Sequence, residues 1–223
     1  MSIWTSEQRA VAASVPTRLH KSLHAGLRAL GFGVVLGFLS ACLPGALPGA
    51  LASGGAGKSF ALARAEIVPG RVVASGPPGF CIDRRSLKTG RNSGFALLAP
   101  CAALDSGALG LGLEAAILTI QVQPAQAPLA EISAAGLAQA FADEAPIYEE
   151  DAGDVSLVHL ARGGAQPIPN GDEKHWRAAL VVNGHLVGLA VYAEAGGVAA
   201  GRAGRALLLR FAKAIVAASP PST

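Results

Sequence analysis

Catalytic signatures are missing from this chain: no G-x-S-x-G, H-E-x-x-H or C-x-x-C occurs in its 223 residues. A nucleophile elbow, a zinc-protease helix and a redox dithiol each need one of those spacings. Metal ligands are thin as well. There are three cysteines and five histidines, and no second Cys or His sits at zinc-ligand spacing from Cys81 or Cys101. The acidic run around Asp143, Glu144, Glu149, Glu150, Asp151 and Asp154 lacks the alternating acid ladder and central glycine of a calcium loop, and reads as a solvated acidic loop. No catalytic, cofactor-binding or metal-ligating residue is therefore assigned. Internal repeats are absent too; the unit Leu-Pro-Gly-Ala recurs twice near residue 45, which is too short for a repeat architecture.

What the chain does have is one continuous apolar run. Arg18, Lys21 and Arg28, with His20 and His24, lead into Ala29–Leu43, the order of a charged n-region and an apolar h-region in a secretory signal. The run is short: about 15 residues make roughly 22 Å of helix, against about 30 Å of hydrocarbon core. Pro44 and Pro48 follow at once and break any continuation.

Near the end of that run, Leu39-Ser40-Ala41-Cys42 resemble the lipobox of bacterial lipoproteins. The resemblance implies that residues 1–41 are a signal peptide removed before Cys42, and that Cys42 then carries the lipid. It further implies a bacterial cell-envelope location, membrane-anchored and periplasm-facing. Leu43, where an Asp would signal retention in enteric lipoproteins, points to the outer membrane. The alternative is cleavage after Ala50-Leu51-Ala52, a small-x-small site, releasing a soluble periplasmic protein.

Removal of the signal redistributes the charge. Fourteen of eighteen basic residues and fourteen of fifteen acidic ones follow Cys42, so the formal charge of +3 belongs to the targeting segment. A neutral domain offers no field for nucleic acid. Of the cysteines, Cys42 belongs to the lipobox. Cys81 and Cys101 remain, and in an oxidising compartment they are expected to pair; the alternative is two buried thiols. A loop of about 20 residues closed this way stabilises by ~3 kcal/mol on chain-entropy arithmetic.

Residues 42–66 read as the lipidated cysteine and a flexible Pro/Gly/Ala tether. Within it, Ala52–Ser59 (A-S-G-G-A-G-K-S) fits a relaxed phosphate loop with Lys58 and Ser59 in the ligand positions. That mechanism needs a strand before the loop and a helix after it, and two prolines precede it here.

Residues 67–218 read as a single globular domain and 219–223 as a tail. Strands are expected at Arg71–Ser75, Phe80–Asp83, Phe95–Ala99, Ala116–Gln123 and Val155–Ala161 from alternation and flanking turn residues. Leu129–Ala142 and Gly201–Ala217 have helical periodicity, the second with Leu207, Leu208, Phe211 and Ile215 on one stripe. Trp176–Val182 and His185–Tyr192, joined by Asn183-Gly184, form the strongest hairpin signal. A two-residue turn sets Val182 opposite His185, Leu180 opposite Val187 and Ala179 opposite Gly188. Both faces of this ribbon are apolar, so it belongs inside a covered sheet, and the Ala179/Gly188 pair is where the last helix is expected to approach. The sum is an α+β domain, an antiparallel sheet flanked by helices.

That order, with Gly79-Phe80-Cys81-Ile82-Asp83 early and Leu207-Leu208-Leu209-Arg210-Phe211-Ala212-Lys213-Ala214-Ile215 in the closing helix, is similar to the PsbP-like exported domains. The resemblance implies a binding or assembly module. It leads to a non-catalytic envelope lipoprotein, attached to the membrane by its lipid and working with an envelope protein partner. The alternative is an envelope hydrolase, for which His159, Asp154 and Ser156 are the one loose polar cluster. His175 and His185 fall at opposite ends of the hairpin, which removes a metal pair there.

Overall fold

The computed structural model describes residues 59–107, 115–125 and 132–221. The signal segment, Cys42, the tether up to Lys58 and the first part of the expected helix at Leu129 lie outside the described residues. Among the described residues, ten strands and three α-helices occur, the first half in the order β1 Ala61–Leu62, β2 Arg64–Val68, β3 Val72–Ser75, β4 Phe80–Asp83, β5 Gly94–Pro100, α1 Cys101–Ser106 and β6 Ala116–Pro124. The second half follows as α2 Ala134–Ala140, β7 Pro146–Ala152, β8 Val155–Leu160, β9 His175–Val182, β10 His185–Ala193 and α3 Arg202–Ala218. Among the described residues no helix is long and apolar enough to cross a membrane.

Eight strands form one antiparallel sheet in the order β1-β4-β5-β6-β10-β9-β8-β7, and β2 pairs with β3 as a separate ribbon. Two meanders meet in the middle. The first, β4-β5-β6, climbs from one edge. The chain then crosses to the far edge and returns through β7, β8 and β9, so that β10 closes against β6 with Leu189 opposite Ile120. The Asn183-Gly184 hairpin sits inside the sheet with the expected register: Val182 opposite His185, Leu180 opposite Val187, Ala179 opposite Gly188. Asn183 and Gly184 both have positive φ, 48° and 75°, as a type I′ turn requires.

Register places Leu98, Leu118, Val191, Trp176 and His159 in one row across five strands. Its neighbour contains Ala96, Ile120, Leu189, Ala178 and Leu157. These rows form the main core, covered by α3 through Leu207, Leu208, Phe211, Ala212 and Ile215 and by Ile67, Val68, Val72 and Ala74 of the β2–β3 ribbon. The stripe on α3 is therefore buried, as its 3.6-residue spacing predicts. The helix lies on the Trp176 side, however. Ala179 and Gly188 face the opposite way and are not its landing site: Gly204, inside α3 itself, supplies the close approach.

Two further expectations are corrected. The fold begins before Ile67, because Ala61 and Leu62 pair with Asp83 and Ile82 and Arg64–Val68 is a strand; Ser59 is thus followed by strands and not by the helix of a phosphate loop. The middle of the acidic run, Glu149, Glu150 and Asp151, is an edge strand and not a loop; Asp143 and Glu144 lie in a 3-10 turn and Asp154 in a tight turn. In β7, Glu150 lies opposite Leu157 and Asp151 opposite Ser156, so alternate acids serve opposite faces. Glu150 forms a bidentate pair with Arg205 of α3, whereas Asp151 Oδ1 accepts from Ala134 N at the start of α2, 2.8 Å. Charge on an edge strand also discourages pairing with another chain.

Cys81 and Cys101 form a disulfide, with Cα atoms 4.8 Å apart. Strand pairing brings them close: Cys81 lies opposite Ala99, two residues before Cys101, where the chain turns into α1.

Candidate functional site

The second face of the sheet carries the polar chemistry. β9 is apolar apart from its first turn of side chains, His175 and Arg177, and spacing by two puts both on the face away from α3. His175 is 0% exposed and Arg177 8% exposed. Ionisable groups are seldom buried so deeply unless they are paired, so these two residues define the candidate site.

Three elements build their surroundings. α2 and its continuation bring Phe141 and, in the 3-10 turn Ala142–Glu144, Glu144. β10 supplies Tyr192, whose ring stacks on His175 with centroids 5.3 Å apart and planes at 16°. The loop after β8 brings Ile168 onto Ala190 and Tyr192. The Arg177 guanidinium lies over two rings, 5.0 Å from the Phe141 centroid and 5.5 Å from that of Tyr192, the placement that the ring quadrupole favours for a cation.

His175 Nε2 stands between a donor and an acceptor. Arg177 Nε donates to it at 3.2 Å, and Glu144 Oε2 lies 3.1 Å away. One nitrogen cannot satisfy both, because it either accepts from Arg177 or donates to Glu144. With Arg177 donating, Glu144 Oε2 receives no hydrogen bond and the proton of a neutral ring sits on Nδ1, which has no partner either. Two buried polar atoms are thereby left unpaired at one spot, an arrangement that costs stability and calls for a functional reason.

Arg177 forms no ion pair with a described carboxylate. Its one hydrogen bond uses Nε, which leaves the four terminal N–H groups of the fork without a partner among the described residues. Register sets Arg177 opposite Ala190, and Ala190 opposite Thr119 of β6. A small side chain therefore separates a cation from a half-buried hydroxyl. Gln121 follows on the same face, opposite Gly188.

The loose cluster expected from the sequence is not assembled. Ser156 Oγ donates to Asp151 Oδ1 at 2.5 Å and contacts Ile132 O at 2.9 Å, tying β8 to β7 and to the start of α2. His159, three residues on, points to the other face, where Nε2 lies 2.8 Å from Ala200 O. Its imidazole pKa is lowered, first because burial disfavours the cation, with the Ala200 carbonyl opposing. Asp154 sits in the exposed turn between β7 and β8. His185, beside the hairpin turn, contacts Asn183 O at 3.0 Å and is remote from His175, as the register required. Among the described residues no three His, Cys, Asp or Glu side chains converge as a metal site.

A concavity of about 360 Å³ lies at the hairpin turn between Val181, Asn183, Val216 and Pro220. It contains no titratable side chain. Asn183 Nδ2 there donates to Arg71 O and Pro220 O, both at 2.8 Å, tying the turn to the two chain segments beside it.

Sequence reasoning missed Arg177 and Glu144 as partners of His175. The one available signal was an arginine at an inward position of an otherwise apolar strand. Compared with known protein families, with characterised proteins and with solved structures, the chain finds no match.

Proposed function

We propose that this chain is a bacterial cell-envelope lipoprotein whose α+β domain is a non-catalytic binding or assembly module. The observation that carries the reading is Leu39-Ser40-Ala41-Cys42 at the end of a basic-flanked apolar run. In it, Cys42 is the lipidated residue, residues 1–41 are a signal peptide, and the anchor holds the domain on the periplasmic side of a membrane, the outer one by the Leu43 argument. The Cys81–Cys101 disulfide suits an exported protein. The likeness in element order to PsbP-like domains favours binding over catalysis. So does the splitting of Ser156 and His159 onto opposite faces of β8, which leaves no nucleophile beside a base there.

Cys42→Ala tests the anchor. In the bacterial host the wild-type chain should fractionate with membranes and give a lipid-modified N-terminal peptide by mass spectrometry; the variant should be soluble or unprocessed. An unmodified N-terminus at Ser53 would overturn the reading.

A further inference from the structure

From the second face of the sheet we infer a binding site for the carboxylate of a small organic monoanion, centred on Arg177. The inference rests on reading the domain as a binding module and does not depend on the lipid anchor. Arg177 is nine-tenths buried and its guanidinium lies over the rings of both Phe141 and Tyr192. Its Nε is held by His175. What remains is a planar fork of terminal N–H donors with no described protein acceptor, held in place before any ligand arrives. Preorganised in this way, a guanidinium gives up little freedom on binding and makes two parallel charge-assisted hydrogen bonds.

The neighbouring positions supply the rest of a small site. Ala190 lies between Arg177 and Thr119, two strand spacings or roughly 10 Å across, and its methyl group forms a low floor. Thr119 forms no side-chain hydrogen bond with a described residue, so its hydroxyl is available to a ligand lying across Ala190. Ile117 and Leu97 flank Thr119, half-buried on the same face, and offer apolar contact for the body of the ligand.

The charge of the site selects the class. A fork suits carboxylate and phosphate alike, but here one guanidinium faces one anion, and the Glu144 carboxylate, 3.1 Å from the same imidazole nitrogen that holds Arg177 Nε, opposes a second negative charge. A monocarboxylate fits that balance and a phosphate dianion does not.

The test uses the full mature chain in detergent, with butyrate and benzoate as probes and phosphate at equal ionic strength as the control. Both carboxylates should bind saturably and shift the Arg177 guanidinium resonances in nitrogen-15 NMR, and phosphate should not compete. Arg177→Lys, which keeps the charge and loses the fork, should weaken binding by about tenfold or more. Thr119→Val, isosteric and half-exposed, keeps the test decisive if Arg177 variants fail to fold; it should weaken binding severalfold with the melting temperature unchanged. Absence of saturable binding, equal competition by phosphate, or unchanged affinity in Thr119→Val would each overturn the proposal. None of these outcomes bears on lipidation of Cys42, which its own variant decides.

Discussion

The His159 imidazole lies flat on the Trp176 indole, with centroids 4.2 Å apart and planes inclined by 2°. Tyr148 meets the same indole edge-on at 5.9 Å, and Trp176 Nε1 donates to Gly201 O at 2.8 Å. His159 Nε2 is also hydrogen-bonded, to Ala200 O. The two bonds grip consecutive carbonyls just before α3, so this aromatic stack fixes where the helix starts. It lies on the opposite face from Arg177 and has a structural role.

This arrangement makes stability depend on pH. Burial lowers the His159 pKa below its ordinary 6.5, so the unfolded chain takes up a proton before the folded one does. Stability should therefore be highest above pH 6.5, fall as the pH drops below that value, and level off once the folded imidazole is protonated too. His159→Gln should flatten that part of the profile. Melting curves of both proteins between pH 5 and pH 8 check this, and an unchanged slope in the variant would remove His159 as its source.

Close packing beneath α3 leads to a second expectation. A Cβ added at Gly204 would stand 1.9 Å from Ala199 O and 2.7 Å from Trp176 Cδ1, so Gly204→Ala forces the helix off the sheet. The backbone oxygen cannot yield cheaply, and a loss of about 1–3 kcal/mol is expected for such overpacking. Phe211, fully buried in the same interface, tests the reverse defect: Phe211→Ala should cost about 3–5 kcal/mol by leaving a cavity. Denaturant unfolding measures both, and a neutral Phe211→Ala would mean that the stripe is not core.

The disulfide supplies the third. Its half-cystines are 20 residues apart, and joining them restricts the unfolded chain by about 3 kcal/mol. The double variant Cys81→Ala/Cys101→Ala should lose stability of that order while keeping its fold, because the β4–β5 pairing holds the same segment. Unfolding of wild-type protein with and without reductant provides the comparison. Equal midpoints would show that the loop is held by its hydrogen bonds alone.

The sequence by itself determined the local features. Asn183-Gly184 dictated a two-residue turn, and a two-residue turn dictates register, so every pair from Val182–His185 to Trp176–Val191 followed from one dipeptide. The α3 stripe was legible for a similar reason, because helical spacing declares a buried side without naming what buries it. Only tertiary structure decided the rest. Both faces of the hairpin are apolar, so nothing local said that α3 would cover Trp176 and Leu180, leaving Ala179 and Gly188 to the other side. The acids of β7 concealed a strand, because both faces of an edge strand can be charged when one meets Arg205 and the other caps α2. The Arg177 site was least legible of all. Glu144, Phe141, His175 and Tyr192 are scattered from position 141 to position 192, and their meeting depends on three separate strand pairings and a helix that no periodicity could align. Hydrogen-bond geometry within a turn is set by neighbours in sequence, whereas burial of a charge is set by whichever distant segments arrive to cover it.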